Sequence, residues 1–208
     1  MSVDRDRQIN YHIDDSPLGR LLIAANSKGL CGLMWGDSDH ELLEALAGRF
    51  RRHTLRPGLE KPQRWLEPVN RFLGGDPVDL SFPLDPGGTA FQRTVWRRIR
   101  QIPLGRTQTY TGLAKDLGNP GGVRAVAGAC AANPVALVIP CHRVIRSDGG
   151  LGGYRWGLAR KRRLLSLEAS MVEDGPWRLT APAGPEQAGA ALPDLLSEHG
   201  SRQESGNP

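Results

Sequence analysis

Apolar positions in the first fifty residues form two short runs followed by a helical repeat. The runs cover residues 18–25 and 30–35, and the four residues between them, 26–29, have the composition of a β-hairpin turn. Asp37 or Ser38 then caps a helix, because the apolar residues that follow recur on one helix face: Leu42, Leu43, Leu46 and Phe50. The pattern predicts two paired strands and a helix.

A second helical repeat and a short strand complete this part of the chain. The helix is predicted from Trp65, Leu66, Val69, Phe72 and Leu73, and the strand covers residues 78–82. No residues here combine in a catalytic pattern, so the apolar side chains are interpreted as core. Pro and Gly make residues 83–88 a linker. We therefore predict a small α/β domain over residues 1–85.

The next segment, residues 86–170, is predicted to be mainly helical. Thr89 and Gln92 form a capping-box pattern ahead of a helix that carries Phe91, Val95, Trp96 and Ile99 on one face. Thr109 caps a second, short helix that ends at Gly118, and a third covers about residues 123–132. Two helices joined by a Gly-containing turn are typical of a helix-turn-helix, although many such pairs bind nothing.

A cysteine with charged neighbours follows the most apolar run of this segment. Residues 135–139 predict a buried strand that Pro140 ends, so that Cys141, His142 and Arg143 stand at the end of the sheet. The thiolate is the nucleophilic form of cysteine, and nearby His and Arg charges favour it. The alternative is a small buried hydrophobe. Because strand neighbours face opposite sides, His142 reaches Cys141 only if the chain turns or a water bridges them.

The last part of the segment contains a Gly-rich loop and a helix that carries a carboxylate on its apolar face. Residues 147–154 predict a loop that approaches a ligand closely, and no βαβ unit surrounds it to indicate a nucleotide site. A helix over about residues 159–170 places Glu168 on the face of Leu164 and Leu165, where a carboxylate is costly unless it is paired. Residues 171–208, rich in Pro, Gly, Ala and acidic residues, predict a disordered tail.

Composition excludes several classes of protein. The chain has 208 residues, 39% of them hydrophobic, without a membrane-length apolar stretch, so we expect a core of ordinary size and no membrane association. Its N-terminus lacks the apolar segment of a secretory signal. The three cysteines, Cys31, Cys130 and Cys141, suggest neither a disulfide framework nor a zinc finger. We expect a cytoplasmic protein with no metal and no cofactor.

Charge is distributed unevenly along the chain. Residues 86–168 carry 14 Lys or Arg against 3 Asp or Glu, a formal charge of +11, within a whole-chain charge of +5. Residues 1–85 carry 11 against 13, and residues 171–208 carry 2 against 6. A basic segment between acidic ones favours a polyanionic partner, with nucleic acid as the leading candidate.

Several short motifs occur here in the order and spacing of a known family. They are Thr109-Tyr110, Arg124-Ala125-Val126, Asn133-Pro134, Ile139-Pro140-Cys141-His142-Arg143-Val144, Gly153-Tyr154 and the stretch from Lys161 to Glu168. Together they resemble the O6-alkylguanine-DNA alkyltransferases (methylated-DNA–protein-cysteine methyltransferases). The resemblance covers about residues 8–170 and is dense over 88–168. Residues 153–158 are especially similar to the C-terminal domain of the bacterial adaptive-response members.

This resemblance implies a fold, an activity and a partner. The fold is a small ribonuclease-H-like α/β domain over residues 1–85, followed over 86–170 by a winged-helix-like helix-turn-helix domain. The activity is single-turnover, irreversible transfer of an alkyl group from O6-alkylguanine to Cys141, with O4-alkylthymine left open as a second substrate. A monomer binds double-stranded DNA in the minor groove and turns the damaged guanine out of the stack.

The resemblance also implies roles for individual residues. His142 and Glu168 activate Cys141 through a water, and Tyr110 and Lys161 offer a proton or charge to the departing guanine oxygen. Arg124 fills the gap left by the flipped base. The residues expected to bind DNA are Arg124, Tyr110, Thr89 and Arg143, and those expected to form the pocket are Asn133, Val144, Gly153 and Tyr154.

Three other functions compete with this one. In a lesion sensor of the same family the reactive cysteine is replaced, often by Trp, and Cys141 argues against that. A helix-turn-helix regulator would leave the cluster of Cys141, His142 and Arg143 without a role. A papain-like cysteine hydrolase needs a distant His and Asn in suitable context, and none is evident.

Overall fold

The computed structural model describes residues 7–173. Residues 171–173, predicted as the start of a disordered tail, are helical because they continue the last helix of the chain, and the rest of the predicted tail lies outside the described residues. Four strands form the N-terminal sheet in the order β3-β2-β1-β4: β1 (Gln8–Ser16), β2 (Gly19–Asn26), β3 (Gly29–Gly36) and β4 (Thr54–Pro57). The first three are antiparallel and β4 is parallel to β1. The predicted hairpin is confirmed, and Asn26 Oδ1 closes its turn by accepting the amides of Lys28 and Gly29.

Two helices accompany this sheet. Helix α1 (Asp39–Arg49) packs on β2 and β3, and its cap is Ser38, whose hydroxyl accepts the Glu41 amide at 3.2 Å. Helix α2 (Gln63–Leu73) buries the predicted apolar face. The strand predicted over residues 78–82 was wrong. The amides of Val78 and Phe82 donate locally, to the carbonyls of Asp76 and Leu80 two residues earlier, and not to a neighbouring strand.

The C-terminal domain is helical, which confirms the predicted fold class. Its helices are α3 (Ala90–Ile99), α4 (Tyr110–Asp116), α5 (Val123–Ala131) and α6 (Leu158–Glu173), and the strands β5 (Gln108–Thr109) and β6 (Val144–Ile145) pair in parallel. Helices α3 and α4 both pack on α5. Thr89 and Gln92 form the predicted capping box, and Thr109 caps α4. No helix within residues 7–173 is long and apolar enough to cross a membrane.

The apolar run before the cysteine is a turn that connects the two domains, and the predicted strand was wrong. Val135 alone forms a bridge, to Leu33 of β3. The chain then reverses through Leu137, which has a φ of 65°, and the Ile139 amide donates to the Val135 carbonyl at 3.1 Å. The run is apolar because it is enclosed where the two domains meet, and a buried turn has the same signature in sequence as a buried strand.

One arginine joins the two domains close to the Gly-rich loop. Arg160, near the start of α6, donates to the Leu18 carbonyl at 2.8 Å, to the Gly36 carbonyl at 3.2 Å and to the Asp37 carboxylate at 2.6 Å. The N-terminal domain therefore supports the beginning of α6, the helix that carries Lys161 and Glu168.

Candidate active site

Cys141 begins a 3₁₀ turn, Cys141–Arg143, and its side chain is almost completely buried. The Arg143 amide donates to the Pro140 carbonyl at 2.9 Å and closes the turn. Because the chain turns here, the alternation of side chains along a strand does not separate Cys141 from His142. No direct hydrogen bond joins the thiol to the imidazole among the described residues.

Asn133 contacts the sulfur of Cys141 directly. Its amide nitrogen donates to Cys141 Sγ at 3.1 Å and to the Ile139 carbonyl at 2.8 Å, while its oxygen accepts the Val135 amide at 2.9 Å. Burial raises the pKa of Cys141 to about 11, although the Asn133 hydrogen bond and the Lys161 ammonium act in the opposite direction. The resting group is therefore a thiol, and a base has to remove its proton.

His142 and Glu168 form a completely buried pair, with Nε2 and Oε1 2.7 Å apart. Burial opposes ionisation of Glu168, but His142 and Arg143 outweigh it and lower its pKa to about 2. Burial also lowers the pKa of His142, despite the attraction of Glu168. At neutral pH the pair is thus a neutral imidazole beside a carboxylate. Since a carboxylate only accepts, Nε2 carries the hydrogen and Nδ1 has a free lone pair.

The structure corrects the prediction that Arg143 binds DNA. Its Nε donates to Glu168 Oε2 at 2.8 Å, Nη2 donates to Oε1 at 2.9 Å, and Nη1 donates to the Ile102 carbonyl at 2.6 Å. The side chain is only 12% exposed. The guanidinium is directed into the protein because it is the counter-ion of the buried Glu168 carboxylate, and a buried charge without a counter-ion is costly.

The Gly-rich loop packs against Tyr110, the first residue of α4. The Tyr110 hydroxyl lies 3.5 Å from the Gly153 carbonyl. Gly152 has a φ of 67°, and a Cβ there would lie 3.0 Å from the Tyr110 ring. Burial raises the pKa of Tyr110 to about 12, so the phenol keeps its proton at neutral pH.

Lys161 holds the same loop from inside the protein. It is fully buried on α6, and its ammonium donates to the Val144 carbonyl at 2.6 Å and to the Leu151 carbonyl. Burial lowers its pKa to about 8, so most of it is charged at pH 7. The ammonium lies 6.0 Å from the centre of the Tyr110 ring, at the outer limit of a cation–π contact.

Tyr154 covers the imidazole of His142 instead of standing free in the pocket. The two rings meet edge to face with centroids 6.4 Å apart, and Tyr154 meets Trp156 in the same way at 5.2 Å. Trp156 in turn meets Trp35 of β3 at 6.5 Å. Burial raises the pKa of Tyr154 well above its usual value, so the phenol adds no charge beside His142.

Arg124 and Thr89, both expected to bind DNA, are exposed and lie outside the buried cluster. Arg124 is the second residue of α5, and exposed positions of that helix also include the small residues Ala125 and Gly128. The Thr89 hydroxyl accepts the Gln92 amide as the cap of α3. No group of three His, Cys, Asp or Glu side chains within residues 7–173 is arranged to hold a metal ion.

Sequence reasoning missed the groups of the site that have no side-chain signature. The carbonyls of Ile102 and Leu151 accept hydrogen bonds from Arg143 and Lys161, and only the folded backbone reveals them. The hydrogen bond from Asn133 to the sulfur was also missed, because the resemblance gave Asn133 only as a residue of the pocket.

Two family models together cover most of the chain. One, described as the ribonuclease-like domain of 6-O-methylguanine DNA methyltransferase, matches residues 9–86, and the other, described as its DNA binding domain, matches residues 90–170. The chain belongs to the 6-O-methylguanine DNA methyltransferase family. The resemblance predicted from the motifs is thereby confirmed.

Individual relatives agree with this membership. The "Bifunctional transcriptional activator/DNA repair enzyme Ada" of Escherichia coli K12 is 44% identical over 165 residues, which are 79% of this chain and 47% of Ada. The chain thus spans about half the length of the Ada proteins it matches. A "Methylated-DNA--protein-cysteine methyltransferase" of Mycolicibacterium paratuberculosis is 38% identical over 164 residues, 77% of this chain and 92% of the relative.

A solved structure of a relative has the same fold. The Mycobacterium tuberculosis protein OGT, crystallised in complex with DNA, superposes with a TM-score of 0.68 at 34% identity. The match covers 78% of this chain and 94% of that one. Both domains of the 6-O-methylguanine DNA methyltransferases are therefore present here.

Proposed function

We propose that this protein repairs alkylated DNA directly, by moving the alkyl group of O6-alkylguanine to Cys141 in one irreversible turnover. The observation that carries the proposal is a buried thiol held by Asn133 next to a neutral His142 paired with ionised Glu168. The names of the relatives, which refer to DNA repair and to a methyltransferase that acts through a protein cysteine, support it.

His142 is the base that forms the thiolate. Its Nδ1 has no hydrogen-bond partner among the described residues, so a water between Nδ1 and Cys141 Sγ completes the relay. The thiol proton passes through this water to Nδ1, and Glu168 stabilises the imidazolium that results. Donation from Asn133 to the sulfur stabilises the thiolate in the same step.

The thiolate then attacks the alkyl carbon in line with the bond to guanine O6. The sulfur–carbon bond forms as the carbon–oxygen bond breaks, and the electron pair of that bond stays on the guanine. The guanine recovers a proton, which the Tyr110 hydroxyl donates, while the Lys161 ammonium stabilises the charge that develops. The phenolate of Tyr110 then regains a proton from solvent, and the His142 imidazolium releases to solvent the proton that it took from Cys141, so that both side chains return to their neutral forms. A thioether has no easy hydrolytic route back to a thiol, so each molecule acts once.

Helix α5 is proposed to enter the minor groove of double-stranded DNA. The groove is only about 6 Å wide, and a helix approaches it closely when its exposed residues are small, as Ala125 and Gly128 are. The planar guanidinium of Arg124 occupies the space of the flipped base. We further propose that the protein acts as a monomer in the reducing cytoplasm, where Cys141 remains a thiol.

The test is a titration of a DNA duplex that contains one O6-methylguanine with increasing amounts of protein. Restored guanine, measured by nucleoside mass spectrometry, is expected to equal the protein added and then to stop increasing. A parallel duplex with O4-methylthymine shows whether that base is a second substrate. Many restored guanines per protein molecule, or none, would contradict the proposal.

A further inference from the structure

The Glu168 carboxylate accepts more hydrogen bonds than a histidine partner alone requires. Oε1 accepts from His142 and from Arg143, and Oε2 accepts from Arg143 at 2.8 Å and from the Gly105 amide at 3.4 Å. Arg143 therefore donates to both oxygens in a bidentate contact, which only a guanidinium can make. None of the proposed steps of alkyl transfer uses this bidentate contact.

The charge balance of the cluster indicates the effect of the bidentate contact between Arg143 and Glu168. A buried carboxylate beside an imidazole, without another cation, is most stable when the imidazole takes up a proton and becomes its counter-ion. The resulting imidazolium has hydrogens on both nitrogens and no lone pair. With Arg143 present, the carboxylate already has a permanent counter-ion, and His142 has no need to become one.

We propose that Arg143 is a positioning residue for the transfer reaction. By neutralising Glu168 it keeps His142 uncharged, with hydrogen on Nε2 and the lone pair of Nδ1 available to accept the proton of Cys141. This inference rests on the proposed function and assigns Arg143 a part in it that acts through Glu168 and His142.

The ionisable groups around His142 are few. Helix α6 contributes Glu168 and Lys161, the turn itself contributes Cys141 and Arg143, and the loop after β6 contributes Tyr154. Helix α3 also packs against the turn but adds no charged group to this set among the described residues. Lys161 already favours the neutral imidazole, and its effect remains when Arg143 is replaced.

The competing explanation is that Arg143 only stabilises the fold, since its guanidinium also donates to the Ile102 carbonyl in the segment before β5. A purely structural contact changes the free energy of unfolding and does not change the protonation state of His142. The two explanations are separated by titrating His142 itself, with ¹⁵N-labelled full-length protein in the absence of DNA. Imidazole nitrogen shifts report both the tautomer and the pKa.

In the wild type we expect a neutral His142 with hydrogen on Nε2 at pH 7. In folded Arg143→Gln the pKa of His142 is expected to rise by about one unit or more, because Glu168 loses its other cation. Arg143→Lys restores the charge and keeps His142 neutral at pH 7. An unchanged titration in folded Arg143→Gln overturns the proposal. If that variant does not fold, a protonated His142 at pH 7 in folded Arg143→Lys overturns it instead.

Single-turnover transfer rates supply the second readout. Arg143→Gln is expected to slow transfer at pH 7 by the factor by which it lowers the neutral fraction of His142 and to recover that loss at higher pH, with DNA affinity unchanged. In a Glu168→Gln background the same change has little further effect, because Arg143 acts through Glu168. Additive losses overturn the proposal.

The matched control is Arg71→Gln, which removes an exposed ion pair with Asp76 in the N-terminal domain and leaves the rate unchanged. Failure of the proposed function is distinguishable, since wild-type protein would then transfer no alkyl group while the titration of His142 still shows what Arg143 does.

Discussion

Glu168 is the residue in which burial and ion pairing compete most directly. Its pKa is lowered from 4.5 to about 2, because His142 and Arg143 outweigh the cost of burying the carboxylate. A lowered folded-state pKa adds stability that is fully present above the unfolded pKa of about 4.5 and disappears as the pH falls through 2. Glu168 therefore makes the fold more sensitive to acid.

This account predicts a stability difference that depends on pH. Between pH 7 and pH 3, the wild type is expected to lose about 2 kcal/mol more of its free energy of unfolding than Glu168→Gln, because the amide does not titrate. Urea unfolding of both proteins at the two pH values measures this difference. Equal losses would show that Glu168 is not held in its ionised form by the fold.

The residues of the candidate site were largely predictable from sequence, and their contacts were not. Cys141, His142 and Glu168 were identified by motif, and the need for a partner on Glu168 followed from its place on an apolar helix face. The direction of the Arg143 side chain could not be predicted, because a basic residue in a basic segment looks the same whether it faces a phosphate or a buried carboxylate.

At the scale of elements, the Gly-rich loop and α4 position Tyr110 together. Gly152 and Gly149 both have left-handed backbone conformations, with φ of 67° and 82°. A Cβ at Gly152 would press on the Tyr110 ring, whereas a Cβ at Gly149 meets nothing within 4 Å. The two glycines thus separate backbone strain from displacement of Tyr110.

We predict that Gly149→Ala and Gly152→Ala each cost about 1 kcal/mol of stability through backbone strain, and that only Gly152→Ala slows alkyl transfer. The slower rate follows because Tyr110 is the proposed proton donor to guanine. Chemical unfolding and single-turnover rates of the two variants provide the comparison. Equal rates for both would rule out a role of this contact in positioning Tyr110.

Helix α5 carries the second element-scale prediction. Turning a base out of the stack costs a few kcal/mol, and in the proposed function Arg124 offsets part of this cost by filling the gap. Arg124→Ala is therefore expected to slow repair of duplex DNA about tenfold or more, and to change the reaction with free O6-alkylguanine base little. Arg124→Lys rescues only partly, since it restores charge without the plane. An equal loss on both substrates would place Arg124 in the reactive pocket instead.

Elements were predicted best where local chemistry decides them. The caps at Ser38, Thr89 and Thr109 were recognisable because a hydroxyl before a helical repeat has a local partner. Strands β1 and β4 were not predicted, since β1 is mostly half-buried and rich in polar residues and β4 is short and mostly exposed. The turn at residues 135–139 was mistaken for a strand because its burial comes from contact between domains.

At the scale of the whole molecule, the basic segment and the DNA-binding domain coincide. The +11 charge of residues 86–168 overlaps the match to the DNA binding domain at 90–170. Since the exposed basic side chains of this segment are available to neutralise phosphates, we predict that affinity for duplex DNA falls about tenfold or more between 50 and 200 mM salt, with little dependence on undamaged sequence. Fluorescence anisotropy across a salt series tests this. A flat response, or strong preference for one undamaged sequence, would favour a regulator.

The central claim is that the sulfur of Cys141 accepts the alkyl group. The most direct test treats the full-length protein with duplex DNA containing O6-methylguanine and locates the added methyl group by peptide mass spectrometry. The account predicts one methyl group per molecule, on Cys141 alone, with Cys31 and Cys130 unmodified although both are buried thiols of the same chain. Methylation of Cys130, or an unmodified protein after the DNA has been repaired, would contradict it.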